Sequence, residues 1–588
     1  MLKKFFKRIS CILILSTFLS ILSIIVLYPI FTATSVMIPY AIHPFDICEK
    51  SPKLWYILKI TYIFISFLSY LILSNSIFVF ISKKQFVFKN NKNNYTQKLT
   101  KAEISKNLNL FIGKNLNNED IYIEEPGLYQ NILITGTIGS GKTSSAMYPF
   151  TKQLIDYKSN DSSEKLAMLI LDVKGNYYKQ VKEFVISANR LQDLIVINLS
   201  GKFKYNPLDK PNLKASVLAN RLKTIMTLFS QNNGESYWLD KTESILTECI
   251  KFCRLYNNNY VTFLEIHKLI TIPNYFTEKL NIVRELFQKG NYSKENIYNL
   301  LSSVEFFEKE FNNLDSRTLA ILKSEITRIT NVFVSDYNVL NTFCPPKNEI
   351  NFHGFTDALN TGKIIVLNMN IAEYKNLSKI IAAYLKLDFQ SEVLARLSVS
   401  NIPIRKSAFI SDEYHEYVTL TDGDFFSQSR EAKCINIVAT QSYTSLLNTL
   451  KENSSVKVII QSLVNKLWFR TDDIFTIEEA QKQIGKEEKE KASRTISENA
   501  KETNYNYLLN SLISTNSNLS ESINTYTQFD YIFDTNFFSQ NLETFNCLAF
   551  ISNGFKIIKP FKLKLIPYFK LESIYKNNSL KGFDLNEK

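Results

Sequence analysis

The sequence predicts an α/β fold with a mostly parallel sheet, and three observations predict it. Short apolar runs recur at Asn131–Thr135, Leu166–Leu171, Leu194–Asn198, Lys363–Leu367, Ser407–Ser411, Asn436–Thr440, Lys466–Phe469 and Cys547–Ile551. Runs of this length, apolar throughout, read as strands buried on both faces. Helical periodicity fills the intervals between them, as in the helix around Leu377–Leu397. The first run leads straight into Gly136-Thr137-Ile138-Gly139-Ser140-Gly141-Lys142-Thr143, a complete match to G-x-x-x-x-G-K-[ST].

The chemistry of that stretch follows from its residue types. Glycines let the backbone turn tightly and approach phosphate without a Cβ in the way. Inward amide groups and the start of the following helix favour anionic oxygens. Lys142 is placed to reach the β/γ-phosphates, and the Thr143 hydroxyl to ligate Mg²⁺. Gly136 to Thr143 therefore form the expected ATP site.

The chain has 588 residues, enough for several domains. Lys and Arg number 69 against 56 Asp and Glu, a net charge of +13, which favours nucleic acid or an acidic membrane face as partner. Seven cysteines are scattered, and only Cys249 and Cys253 are close. No histidine stands at ligand spacing from them, which argues against a zinc site and for a reducing compartment.

The elements fall in order. Residues 1–8 are a basic N-terminus carrying Lys3, Lys4, Lys7 and Arg8. Residues 9–82 read as a transmembrane hairpin, with spans over about 9–30 and 60–82. Basic residues outside both ends put the termini and the bulk of the chain in the cytoplasm, where ATP is. Residues 83–118 are a polar juxtamembrane linker. The nucleotide-binding domain opens over 119–210 and includes Asp172-Val173-Lys174-Gly175 and Asn206-Pro207-Leu208. Residues 211–345 have helical periodicity alone, with a capping box at Thr262-x-x-Glu265, and read as an all-helical insertion. The nucleotide-binding domain resumes over 346–570. Within it, Glu478–Lys501 reads as a charged helical stretch and Asn504–Ser522 as polar and mobile. Residues 571–588 are a polar tail.

A second motif completes the expected site. The run Ala408-Phe409-Ile410-Ser411 ends in Asp412-Glu413. Asp412 is the expected partner of Thr143 at the metal, and Glu413 the group that orients and polarises water. Asp172 ends a similar run but lacks a following Glu, so it ranks below Asp412 as a supporting residue. Gln441, after the run ending at Thr440, is placed to sense the γ-phosphate or to position water. Arg430 is either a finger that reaches a neighbouring copy's site or a surface residue near Glu431.

The order of these parts resembles the type IV secretion coupling proteins, the TraG/TraD-like conjugative ATPases of the FtsK/HerA type. The resemblance rests on Gly136–Thr143, Asp172–Gly175, Asn206-Pro207-Leu208, Asp412-Glu413 and Thr440-Gln441-Ser442, and runs from about Lys3 to Phe569. Val173, Asn176 and Thr137 depart from residues frequent in that family. The resemblance implies a RecA-like motor domain, an inserted all-α domain and a two-helix membrane anchor in a bacterial cell membrane. It also implies a homo-hexamer that uses ATP and Mg²⁺ to move relaxase-bound single-stranded DNA, protein substrates or both into a secretion channel. Lys142, Thr143, Asp412 and Glu413 take the nucleotide and catalytic roles, with Gln441 and Arg430 at the family's glutamine and trans-acting arginine. The alternatives are a non-hydrolysing nucleotide-binding membrane receptor that recruits substrate, and another FtsK/HerA-type DNA pump.

Overall fold

The structure is a computed structural model. It describes residues 108–172, 175–199, 201–228, 236–290, 293–369, 371–374, 376–398, 403–498, 503–506, 511–514 and 519–570, with scattered positions between 16 and 73. The basic N-terminus, most of the first expected span, the later part of the second, most of the linker, Val173, Lys174 and the 571–588 tail lie outside the described residues. Contacts divide the chain into residues 1–103 and 104–588. In the first unit the described positions over 64–73 are helical. Among the described residues no helix is long and apolar enough to cross a membrane.

The second unit is organised by one sheet of eleven strands. Its strands are β1 (Asn109–Lys114), β2 (Asp120–Glu124), β3 (Ile132–Thr135), β4 (Ala167–Leu171), β5 (Leu194–Ile197), β6 (Ile364–Leu367), β7 (Ser407–Ser411), β8 (Cys434–Thr440), β9 (Asn465–Phe469), β14 (Asn546–Phe550) and β15 (Phe561–Lys564). Their spatial order is β2-β1-β15-β14-β9-β3-β8-β7-β4-β6-β5. The seven from β9 to β5 are parallel, and these are seven of the eight apolar runs of the sequence; the eighth, Cys547–Ile551, is the antiparallel β14. The other four are antiparallel and extend the sheet past β9. Two of them fall where sequence patterning is weak: β1 lies in the expected linker, and β15 is a short stretch rich in lysine.

Alternation along β4 shows why the runs are apolar throughout. Ala167, Leu169 and Leu171 join the core on one face, Met168 and Ile170 the core on the other. The second core is covered by the helices Tyr148–Asp156 and Tyr177–Ser187. The first is covered by the helix Asn376–Ala395 and by the segment between β5 and β6. Every described element of that segment from Ala215 to Phe343 is helical. Thr262 caps one of its helices, accepting from the Glu265 N–H at 3.2 Å. The segment has no separate core: Phe263 stacks on Phe333 at 3.9 Å and meets Tyr384 of the Asn376–Ala395 helix edge-on at 6.5 Å.

The stretch after β9 corrects the helical expectation for Glu478–Lys501. The helix Ile474–Ile484 stops at Gly485, whose φ of +97° is a conformation glycine adopts readily. Lys486–Glu498 (β10) then pairs antiparallel with Leu519–Tyr531 (β13) in unbroken register. Thr503–Asn506 (β11) and Ser511–Ser514 (β12) pair between them, so the stretch expected to be mobile contains strands. Glu and Lys suit a solvated helix by propensity, but here cross-strand partners decide. Lys491, for example, meets Asp530 at 3.0 Å.

Candidate nucleotide site

The parallel register brings five strand ends together. Thr135 of β3 lies beside Thr440 of β8 and Trp468 of β9, while Ser411 of β7 lies beside Val438 of β8 and Leu171 of β4. The residues that follow those strands therefore share one edge of the sheet: Gly136–Thr143, Gln441, Arg470, Asp412-Glu413 and Asp172. Ligands bind at this edge in open parallel sheets.

The glycine-rich loop is closed by its own backbone and by its neighbours. Thr137 donates its N–H at 2.8 Å and its hydroxyl at 3.1 Å to the Arg470 carbonyl oxygen. Ser140 Oγ donates to the Thr137 carbonyl oxygen at 2.8 Å. The Lys142 ammonium curls back into the loop, donating to the carbonyl oxygens of Gly136 and, at 3.2 Å, of Thr137. It sits where the loop is shaped to hold anionic oxygens. Gly141 has φ +97°, and a Cβ there would lie 2.5 Å from the Phe545 ring, so only glycine fits. Thr143–Met147 forms a π-turn in which Tyr148 N–H reaches the Thr143 carbonyl oxygen. Pro149 explains the wide turn. It has no N–H for the Ser145 carbonyl, and its ring would crowd that carbonyl in a regular α-helix.

Sheet order decides between the two acids. Strands lie about 4.8 Å apart, so β7 is roughly 10 Å from β3 and β4 roughly 14 Å. Asp412 reaches the loop, and its Oδ2 accepts from Thr143 Oγ1 at 2.9 Å. Asp172 stands one strand further from the loop. Its Oδ2 instead accepts the N–H groups of Asn176 and Tyr177, both at 3.0 Å, and so caps the helix Tyr177–Ser187. The hydroxyl of Thr143 and the carboxylate of Asp412 are two hard oxygen donors at one place, a set that fits Mg²⁺.

Glu413 is turned toward Gln441 by its backbone. Its φ of +48° lies in the left-handed region, uncommon for any residue but glycine. Its N–H is held by Asp412 Oδ1 at 3.0 Å. Gln441 Nε2 donates to Glu413 Oε2 at 3.2 Å. His415, which the sequence reading passed over, joins this group. Its Nδ1 lies 3.2 Å from Thr440 Oγ1 and 3.8 Å from Glu413 Oε2. Burial pushes the His415 imidazole below its ordinary value, against the opposing pull of Glu413 and Glu416. Near neutral pH it is an uncharged ring beside the Glu413 carboxylate.

The turn that carries Glu413 is braced from inside the protein. Lys386 and Asp422 are fully buried and paired at 2.6 Å. Lys386 Nζ also donates to the Tyr417 carbonyl oxygen at 2.8 Å and to Thr419 Oγ1 at 2.9 Å. Asp422 accepts from the Tyr414 hydroxyl, and the Tyr417 hydroxyl donates to the Asp412 carbonyl oxygen at 2.8 Å. Residues 412–422 are thereby tied to the helix Asn376–Ala395. Two residues further along that helix, Asp388 holds Lys210 at 2.9 Å, Arg221 at 3.0 Å and the Tyr205 hydroxyl at 2.7 Å. The Asn206-Pro207-Leu208 turn belongs to this second brace: Tyr384 donates to the Pro207 carbonyl oxygen at 2.9 Å.

Arg430 is not brought to the site of its own chain. It is exposed and precedes β8, at the opposite end of that strand from Gln441. A seven-residue strand separates them, roughly 20 Å.

No family model matches the chain, and no curated protein matches it. Solved structures do. The plasmid coupling protein TrwB in complex with ADP and Mg²⁺ is similar with a TM-score of 0.51 at 10% identity, over 78% of this chain and 89% of that chain. The fold is that of a plasmid coupling protein. TrwB in complex with a non-hydrolysable GTP analogue gives a TM-score of 0.50 at 11% identity, over 76% and 87% of the two chains.

Proposed function

We propose that the chain is a membrane-anchored ATPase that couples ATP hydrolysis to transfer of DNA, as a relaxase-bound single strand, or of protein substrates, into a type IV secretion channel. The observation that carries this reading is the convergence of Lys142, Thr143, Asp412, Glu413 and Gln441 at adjacent parallel strand ends. Binding alone needs the loop. The water-facing pair Glu413 and Gln441, held in contact, is what hydrolysis adds.

In this reading the loop amides and Lys142 bind the phosphates, and Thr143 and Asp412 hold Mg²⁺. Held there by Thr143 and Asp412, the ion would supply positive charge against the charge that develops on the phosphates. Glu413 accepts the proton of the attacking water, and Gln441 fixes the carboxylate that accepts it. Arg430 acts only across a subunit boundary, which fits a ring of identical copies. Anchoring is supported by the helical positions of the N-terminal unit: Ile60, Phe64, Ile65, Leu68, Ile72 and Leu73 are all exposed. A cell-membrane location with the bulk of the chain in the cytoplasm follows from that anchor. The net charge of +13 suits a phosphate-lined cargo.

The test is ATP hydrolysis by the full chain in vesicles, with and without single-stranded DNA, over a salt series. Turnover that DNA raises, with a stimulation that fades as salt rises, is the expected result. Tight ATP binding without turnover under all these conditions overturns the motor and leaves a nucleotide-binding receptor.

A further inference from the structure

The C-terminal end of the domain closes over the outer side of the glycine-rich loop. Phe545 is half-buried and has φ +66°, a conformation that bulky side chains rarely adopt. Two contacts hold it there. Its N–H donates to the Ser140 carbonyl oxygen at 3.1 Å, and its ring lies against Gly141. From Phe545 a row of aromatic rings runs along the loop's helix. Phe545 meets Phe569 at 6.4 Å, Phe569 meets Tyr568 at 5.7 Å, and Tyr568 meets Tyr148 at 5.2 Å.

Phe545 lies against Gly141 and Tyr568 against Tyr148, so the aromatic chain runs beside the exit of the phosphate loop. Tyr148 and Tyr568 are packed, but Phe569 is 50% exposed. An exposed phenylalanine is unremarkable alone. This one stands next to a ring that touches the phosphate loop. A nucleoside triphosphate held by that loop through its phosphates carries its sugar and base only a few bonds away.

We propose that the exposed face of Phe569, with the Phe545 ring set edge-on to it at 73°, forms the shelf on which the purine base of the nucleotide stacks. The inference rests on the nucleotide-binding reading above and adds the base subsite to it. Stacking uses the π-face that every base has, so the shelf takes adenine and guanine alike. The strained backbone at Phe545 then has a purpose: it aims the ring along the loop instead of into the core.

The experiment measures binding of ATP, GTP and inorganic tripolyphosphate, each with Mg²⁺, to the full chain and to Phe569→Ala and Phe545→Leu. Phe569→Ala removes an exposed ring and leaves the core untouched. Phe545→Leu keeps the packing against Gly141 but removes the π-face. Loss of one stacked base corresponds to about a 5- to 150-fold weaker affinity. The expected result is a loss of that size for ATP and GTP in Phe569→Ala and a smaller loss in Phe545→Leu, with tripolyphosphate binding unchanged in both. Unchanged ATP affinity in both variants, with tripolyphosphate still bound, overturns the shelf and spares the nucleotide reading. Equal loss of ATP and tripolyphosphate also overturns it, because the rings would then only support the loop. Wild-type chain that binds neither ligand overturns the nucleotide reading itself.

Discussion

Removing Lys386 tests whether the buried brace sets the hydrolytic turn. Lys386 and Asp422 are both fully buried, and burial pushes the Lys386 amine below its ordinary value while Asp422 pulls it back up. Breaking a buried ion pair by removing one partner costs about 3–5 kcal/mol. In Lys386→Met the Asp422 carboxylate keeps the Tyr414 hydroxyl, both donors of Thr419 and Gln390 Nε2. Those bonds hold the cost near the lower end, about 3 kcal/mol. Asp422→Asn leaves the ammonium with the Tyr417 carbonyl and Thr419 hydroxyl oxygens, and is placed nearer 5 kcal/mol. In the double variant a neutral amide stands among most of the same donors. Its cost falls short of the summed singles by on the order of 2 kcal/mol. Urea unfolding of the four proteins measures this. A loss below about 1 kcal/mol in both singles, or simple additivity, refutes the brace. The brace also holds Tyr414 beside Glu413, so Lys386→Met lowers kcat while ATP affinity stays within about threefold.

Three further outcomes separate neighbouring roles. Asp172→Ala removes the acceptor for two helix N–H groups and costs about 1–2 kcal/mol of stability with ATP turnover largely kept, whereas Asp412→Ala abolishes turnover; denaturation and phosphate release on the same samples compare them. Burial lowers the Lys466 amine from 10.5 to about 7, so between those values the unfolded chain binds more protons and stability rises with pH. Lys466→Met therefore stabilises the protein most at or below pH 7, by up to roughly 5 kcal/mol, and the advantage shrinks toward pH 10; thermal unfolding across that range reads it. His415 is likewise held below its ordinary value of 6.5, so its neutral form contributes stability above 6.5 that is lost as pH falls through 6.5 toward its folded value. His415→Gln flattens that limb of the stability profile.

The seven parallel strands were legible in the sequence because six of them are buried on both faces and the edge strand β5 is apolar as well, which makes each a continuous apolar run. The loop and Asp412-Glu413 were legible because phosphate and metal chemistry restrict residue type at fixed spacing. Of the antiparallel extension, β14 was legible as the run Cys547–Ile551, but β15 and β1 were not. β15 is Phe561–Lys564, half lysine, and its place beside β1 depends on partners far away in the chain. The Glu- and Lys-rich β10 reads as helix until its partner β13 is known. At the site, Gln441 was legible as a polar residue after a strand. His415 was missed because a lone histidine after an acidic pair has no fixed spacing to announce it. Phe545 was missed because its meaning depends on Gly141, far away in sequence, and on the strands that bring the two together. The choice of Asp412 over Asp172 was made from the following Glu, and the strand order supplies its geometric reason.

The central claim is that Glu413 serves turnover and not binding. Glu413→Gln keeps the side chain's size and removes its capacity to accept a proton. ATP affinity and phosphate release, measured on the same preparation of the full chain, test it directly. The account predicts affinity within about threefold of wild type and phosphate release at least 100-fold slower. Release at the wild-type rate with ATP bound would contradict it.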